Sequence, residues 1–226
     1  MLLLAADTSG RHGSIALAHC TPGHACEAIE VVPLAGGTFS AQLVPQIAAL
    51  LSQHGFTKQD VGAFAVAAGP GSFTGLRVGL AAIKALAEIL HKPIAAVSLL
   101  EAVARSGKAQ GKVLAALDAG RTQLYAGEYE VDGRARLVQE RLLTSEEFLA
   151  SAAGWTVITP DKRIFDMVVS SNLRAELVAQ PRSDVIAQLG WERIEMGETV
   201  SPEELDANYI RRSDAEIFAE GANLRG

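Results

Sequence analysis

The sequence has few of the residues that mark metal binding or disulfide-rich secreted proteins. It contains two cysteines, Cys20 and Cys26, and five histidines among 226 residues. No two histidines stand at the i, i+4 spacing of a two-histidine site on one helix, and no tight set of paired carboxylates indicates acid–base catalysis. We expect no metal site. With no export signal, two free thiols in a reducing cytoplasm are expected, with a Cys20–Cys26 bridge as the alternative.

Long apolar runs and an excess of basic residues are also absent. No stretch of about 18 uncharged apolar residues occurs, so no membrane span is expected. The start MLLLAADTSG lacks a basic flank and meets Asp7 at once, which predicts a buried first strand and not a signal peptide. The net charge is −6, whereas proteins that grip a nucleic acid backbone usually show a basic face. Any nucleic acid role is therefore expected to act through a partner.

The residues that are present predict a globular α/β fold. Hydrophobic residues make up 49% of the chain but aromatic residues only 5%, which suits helices packed closely on a sheet. Periodicity and turn residues predict the order β-β-β-α-β-α-β-α in the first half. The predicted strands cover residues 1–9, 13–20, 28–34, 63–68 and 93–98. Three helices are predicted. The first ends at Gly55 and has Pro45 in its first turn. The second ends at Leu90, and the third ends near Gly107 and has Ser98 as its N-cap.

The second half appears as a copy of the first. A strand ending in Asp118, a Gly-Arg turn and two further strands repeat the pattern around Asp7, and the copy becomes weaker after Val138. Duplicated β-β-β-α-β-α units are typical of the ASKHA (actin/hexokinase/Hsp70-like) fold, here with a reduced second lobe. We predict an N-terminal lobe over residues 1–106 and a smaller, degenerate lobe over residues 107–226. Thr144 and Glu147 predict a capping box at a helix start in the second lobe.

A glycine-rich stretch, GPGSFTGLRVG, separates two apolar runs in the first lobe. It has the composition of a phosphate cradle, but it lacks the Gly-Lys-Ser/Thr ending of a P-loop and the Gly-x-Ser-x-Gly spacing of a nucleophile elbow, which makes Ser72 a poor nucleophile. At the end of the first strand, Asp7, Thr8 and Ser9 have the residue types of a phosphate or metal turn, or of an ordinary hydrogen-bonded turn. The signature residues of the loop are Gly69, Pro70, Gly71, Ser72, Phe73, Thr74, Gly75 and Arg77.

Several strings of this sequence resemble the TsaB (YeaZ) family, whose members act in the bacterial tRNA threonylcarbamoyladenosine pathway. They are LAADTS, QLVPQIAALL, GPGSFTGLRVGLAAIKALA, PIAAVSLL and LAALDAGRTQLYAGEY, and the end at Tyr209, Ile210 and Arg211 resembles the family signature. The resemblance is specific in the loop and covers residues 1–130 well. It implies an ASKHA fold and a non-catalytic role beside the related TsaD (Gcp-like) threonylcarbamoyltransferase.

The resemblance also implies the partners. TsaB-like proteins pair with themselves or with TsaD, and an ATPase, TsaE, joins the complex; metal and ATP are expected on those partners, with none on this chain. tRNA is expected to contact the chain only through the complex, in the cytoplasm. The helices over residues 42–51 and 75–90 are implied to form the association surface. Its predicted residues are Leu43, Ile47, Leu50, Leu51, Val78, Leu80, Ala81, Ile83 and Lys84.

Two other functions remain open from the residues alone. One is a small ASKHA-type ATPase or phosphotransferase that uses Asp7, Thr8 and the glycine loop, for which Asp7, Thr8 and Ser9 would be a working or vestigial nucleotide site. A more remote one is a glycoprotease-like peptidase that depends on Ser72. The sequence also departs from many relatives, which have a histidine where this chain has Phe39 before Ser40. No role of that histidine can be transferred.

Overall fold

The computed structural model describes residues 1–210, which form two five-stranded mixed sheets with helices on their faces. The first half has the predicted order, and its strand order in the sheet is β3-β2-β1-β4-β5. A short 3-10 turn, Lys58–Asp60, precedes the fourth strand. The bounds are β1 Leu2–Asp7, β2 His12–His19, β3 Glu27–Ala35, α1 Phe39–Gln53, β4 Val61–Gly69, α2 Phe73–Leu90, β5 Ile94–Ser98 and α3 Leu99–Ser106.

The second half repeats this topology to its end. Its strand order is β10-β9-β6-β7-β8. Read from the opposite edge, this is the order of the first sheet, with β6 to β10 as the copies of β1 to β5. The copy is reduced in size: α4 and α5 have 7 and 9 residues, whereas α1 and α2 have 15 and 18. The bounds are β6 Gly111–Gly120, β7 Gln123–Asp132, β8 Arg134–Thr144, α4 Ser145–Ser151, β9 Thr156–Thr159, α5 Lys162–Ser170, β10 Ala175–Leu177 and α6 Ser183–Met196.

Both faces of the first sheet are covered, which explains why β1 is apolar at almost every position. Leu4 and Ala6 face the core beneath α1 and α2, whereas Leu3 and Ala5 face the core shared with α6. β1 pairs in parallel with β4, and β4 with β5. Central parallel strands that are buried on both faces have continuous apolar sequences. The apolar runs of β1 and β4 have this pattern.

The last helix of each half covers the sheet of the other half. α6 packs on β1, β2, β4 and β5, and α3 packs chiefly on β6 and β7. Gly190 lets α6 approach Ala65 so closely that a Cβ atom there would clash. Arg105 pairs with Glu192 at 3.0 Å, and Arg193 pairs with Glu101, so the two helices are also joined by charge. This exchange of helices joins the two lobes.

The structure corrects three expectations. Cys20 and Cys26 form a disulfide and not two free thiols, because the turn between β2 and β3 brings their Cα atoms to 4.2 Å. Pro45 lies in the second turn of α1, since the helix begins at Phe39. The second lobe also contains α5 and β10, which the sequence pattern did not predict.

The predicted caps are present. The Ser98 hydroxyl accepts a hydrogen bond from the Leu100 amide at the start of α3. Thr144 and Glu147 form the capping box of α4. Among the described residues, none of the helices is both long enough and apolar enough to span a membrane.

Candidate functional site

The glycine-rich loop joins β4 to α2 and lies against the end of β1. Gly69 has φ +117° and is followed by a cis peptide bond to Pro70. Ser72 is the N-cap of α2, and its hydroxyl accepts a hydrogen bond from the Gly75 amide at 3.3 Å. The helix therefore begins at Phe73, two residues before the predicted start. In the structure Ser72 has a capping role.

Close backbone packing explains the glycines of the loop. The Ser72 amide donates to the Ser9 carbonyl at 2.6 Å, and the Thr8 hydroxyl donates to the Gly75 carbonyl at 2.7 Å. A Cβ atom at Gly71, Gly75 or Gly79 would fall inside contact distance of Ser9 or Thr8. Only glycine permits this approach, so α2 starts directly against the turn that follows β1.

Asp7 lies beneath this contact and is almost fully buried, with 3% of its surface exposed. Its carboxylate accepts a hydrogen bond from the Ser9 amide at 2.8 Å. Burial raises the pKa of Asp7, and hydrogen bonding to Ser9 opposes that rise. The Asp7 carboxylate and the Thr8 hydroxyl are thus engaged by the chain itself, whereas the Ser9 hydroxyl is buried without a hydrogen-bond partner among the described residues. Asp7 and Thr8 hold the loop in place.

A cleft of about 950 Å³ opens between the lobes in front of this turn. From the first lobe it is lined by Ser9, Arg11 and the loop, and from the second by the turn that begins at Asp118. The Gly120 amide donates a hydrogen bond to the Asp118 carboxylate at 2.9 Å. In the first lobe the Ser9 amide donates to the Asp7 carboxylate in the same way. No histidine is among the lining residues in the described part of the chain, so Ser72 has no imidazole beside it there.

Most of the predicted association residues lie in the core of the chain. Six of them have 6% or less of their surface exposed, because they pack between α1, α2 and the first sheet. These six are Leu43, Ile47, Leu50, Leu51, Leu80 and Ile83. The other three lie at the surface of α2: Ala81 is exposed, and Val78 and Lys84 are half-buried. A partner would therefore meet other side chains of the same helices.

The outer sides of α1 and α2 form an apolar surface to which α1 contributes no charge. α1 has no charged residue in its 15 positions, FSAQLVPQIAALLSQ, although Val44 is 54% exposed. On α2, Ile89 is 67% exposed. α2 also carries Arg77, Lys84 and Glu88 beside the apolar positions. We call this surface the α1–α2 face; it comprises Ala41, Val44, Pro45, Ala48, Ala49, Val78, Ala81, Ala82, Ala85 and Ile89.

One end of the α1–α2 face carries an aromatic cluster. The Arg77 guanidinium lies 3.7 Å from the Phe73 ring centroid, and its Nε donates to the Tyr209 hydroxyl at 3.2 Å. The rings of Phe73 and Tyr209 are 5.3 Å apart. Tyr209 belongs to the predicted end signature, of which Arg211 lies outside the described residues. The contact of Tyr209 with the loop was not predicted, since 132 residues separate Arg77 from Tyr209.

Phe39, where the family resemblance implies a histidine in many relatives, is buried with 7% of its surface exposed. It belongs to the core beneath α1 and its ring lies close to Gly13. It also lines one edge of the cleft. Within residues 1–210, no group of three or more His, Cys, Asp or Glu side chains is placed to hold a metal ion.

The two-sheet fold agrees with comparisons to known proteins. The profile of the TsaD family, described as tRNA N6-adenosine threonylcarbamoyltransferase, matches residues 31–180. This is more than half of the chain, and the chain therefore belongs to that family. The predicted ASKHA-type α/β architecture is confirmed by this match and by the structural neighbours.

Several individual relatives are proteins named TsaB or YeaZ, which confirms the resemblance found in the sequence. "tRNA threonylcarbamoyladenosine biosynthesis protein TsaB" of Bacillus subtilis (strain 168) is 37% identical over 131 residues, which are 58% of this chain and 56% of that protein. The protein of the same name from Escherichia coli (strain K12) is 28% identical over 95% of this chain and 96% of its own. The structure of YeaZ from Pseudomonas aeruginosa has a TM-score of 0.74 at 27% identity, and the alignment covers 92% of this chain and 100% of that chain.

Gly75→Ala tests the packing of the loop. Because the added Cβ would clash with the Thr8 carbonyl, we expect the free energy of unfolding to fall by about 1–3 kcal/mol. Gly10→Ala is the matched control, since a Cβ there would meet no atom closer than 3.4 Å, and a change within about 0.5 kcal/mol is expected. Urea denaturation followed by circular dichroism measures both. A Gly75→Ala protein as stable as the wild type would contradict the close approach.

Asp7→Asn tests whether Asp7 is structural. Burial raises the pKa of Asp7 above 3.8, so the folded chain holds the carboxyl proton more tightly than the unfolded chain. This contribution to stability is complete below pH 3.8 and is lost as the pH rises through the folded-state pKa. Asparagine keeps an oxygen for the Ser9 amide but does not titrate. The stability of the variant relative to wild type should therefore rise with pH across this window, as measured by urea midpoints at several pH values; a relative stability that falls with pH would contradict the prediction.

Proposed function

We propose that the chain is a non-catalytic subunit that binds and activates a TsaD-type threonylcarbamoyltransferase, which forms N6-threonylcarbamoyladenosine in tRNA. The observation that carries this proposal is the α1–α2 face. Exposed helices normally carry charged residues, and α1 has none. Depletion of charge at the centre of an exposed apolar surface is typical of protein interfaces.

The face is suited to helix-on-helix association. Alanines dominate it, with Ala41, Ala48 and Ala49 on α1 and Ala81 and Ala85 on α2 exposed. Small residues permit close approach of two backbones, and Val44 and Ile89 supply apolar area. The same surface would serve a second copy of the chain when the transferase is absent. We therefore expect a homodimer of the isolated chain that exchanges for a heterodimer.

The polar groups of the loop support a non-catalytic role. The Ser72 amide, the Thr8 hydroxyl and the Asp7 carboxylate are each bonded within the chain. We propose that metal is held by the transferase and that ATP is used by the TsaE ATPase. The net charge of −6 favours contact with tRNA through the complex. We propose that the chain acts in the cytoplasm, and the relatives' names, which refer to tRNA threonylcarbamoyladenosine biosynthesis, support this location.

A second candidate function is a phosphotransferase or ATPase in the inter-lobe cleft. It is favoured by one observation, the pair of equivalent aspartate turns at Asp7 and Asp118 on opposite sides of a cleft of about 950 Å³. ATP hydrolysis by the isolated chain that is lost in Asp7→Asn would support this candidate. Cleavage of a protein substrate that is lost in Ser72→Ala would be required for a peptidase.

Val44→Asp tests the proposed surface. A carboxylate at this position would be desolvated without a counterion in the complex, so we expect affinity for the organism's own TsaD protein to fall at least about tenfold. Val169→Asp is the matched control, because Val169 is a 47% exposed valine on α5. Light scattering after size exclusion, with a threonylcarbamoyl transfer assay on tRNA, provides the measurement. Ile47 and Leu80 are unsuitable for this test because both lie in the core.

Wild-type chain and Val169→Asp should bind the transferase and switch on transfer, and Val44→Asp should bind at least about tenfold more weakly and activate transfer less while it remains folded. If Val44→Asp binds as tightly as wild type, the association surface lies elsewhere. If the wild-type chain does not bind the transferase at all, the proposed function is wrong.

A further inference from the structure

The segment that follows α6 returns to the first lobe and runs beside the glycine loop. The Val200 amide donates to the Ile94 carbonyl at 2.9 Å, and Leu205 is buried in the core beneath α1 and α2 with 1% of its surface exposed. The Asn208 amide then donates to the Ala68 carbonyl at 2.7 Å, immediately before the loop begins. Residues 200–210, here called the return segment, thus add to the first lobe although they follow the second in sequence.

Glu140 of β8 ties the return segment to the second lobe. One oxygen of its carboxylate accepts hydrogen bonds from the Ser98 hydroxyl, at the end of β5, and from the Tyr129 hydroxyl on β7. The other oxygen accepts from the Asn208 side-chain amide. Three donors from three parts of the chain therefore meet at one half-buried carboxylate. Hydrogen bonds to an ionised acceptor are stronger than those between neutral groups.

The residue after Asn208 reaches the start of α2. Tyr209 packs against Phe73 and accepts a hydrogen bond from Arg77. Phe73 is 38% exposed and Arg77 is exposed, so both side chains are available to a partner beside the α1–α2 face. Arginine and aromatic residues are enriched among the residues that dominate binding energies.

We propose that the Asn208–Glu140 hydrogen bond is a latch through which the second lobe positions Arg77 and Phe73 for the transferase. Asn208 and Glu140 are positioning residues, and Arg77 is the group that touches the partner. This inference rests on the proposed function. With the latch closed, Tyr209 holds the guanidinium against the Phe73 ring; with the latch open, Arg77 must be ordered when the partner binds, which weakens association.

The first experiment uses the isolated chain and asks whether the latch orders the return segment. Asn208→Ala is expected to raise the rate of amide hydrogen exchange in residues 205–210. Gln139→Ala is the matched control, since the Gln139 side-chain amide donates to the Glu128 carboxylate at 2.8 Å one residue before Glu140. It should leave exchange in residues 205–210 unchanged. Unchanged exchange in Asn208→Ala would overturn the latch whether or not a partner binds.

The second experiment measures affinity for the transferase in a double-mutant cycle. Asn208→Ala and Arg77→Ala are each expected to weaken binding about tenfold, and the double variant should bind no more weakly than Arg77→Ala alone. Asn208→Asp, which sets a carboxylate against Glu140, should reproduce the loss if Asn208→Ala folds poorly. Wild-type affinity in Asn208→Ala, or losses that add in the double variant, would overturn the proposal. If wild type fails to bind, the proposed function fails, and the exchange experiment still decides whether the latch exists.

Discussion

The direct contact between the start of α2 and the end of β1 is the constraint on which the rest of the first lobe depends. Gly75 and Gly79 leave room for the Thr8 backbone and hydroxyl, and Gly71 leaves room for Ser9. Because α2 is fixed there, it lies along the sheet with Leu76, Leu80 and Ile83 turned inward, and α1 packs beside it. The exposed sides of both helices follow from this placement, so the geometry of the loop sets the geometry of the α1–α2 face.

The sequence predicts the element order of the first half well because its longest elements carry clear hydrophobic patterns. α2 shows a full helical period over 18 residues, and β4 is an unbroken apolar run. The two elements of the second half that the sequence does not predict are short: β10 has three residues and α5 has nine. Elements of that length give little periodic signal. Their identity comes from the internal repeat and from pairing with β9, which is a contact distant in sequence.

The sequence is a poorer guide to which side of each helix is exposed, and the reason is general. Helical periodicity identifies the stripe that is buried, and in α1 this stripe, with Leu43 and Ile47, faces the chain's own sheet. The opposite side of α1 is marked by its lack of charge. Val44, Ala48 and Ser52 are exposed in a helix without a single charge, and that signal was present in the sequence. The sequence does not show which helix covers which sheet, because the exchange of α3 and α6 depends on close contacts such as that of Gly190 with Ala65.

Glycine-rich loops between a strand and a helix serve two different purposes, and hydrogen bonding separates them. A phosphate cradle needs several free N–H and hydroxyl donors that converge on one point. Here the Ser72 amide is bonded to Ser9, the Ser9 amide to Asp7 and the Thr8 hydroxyl to Gly75. These three satisfied donors stabilise the backbone approach, whereas the Ser9 hydroxyl is buried without a hydrogen-bond partner among the described residues. The same residue types that suggest phosphate binding thus fix the position of a helix, and this favours a chain that contributes to tRNA modification through its surface.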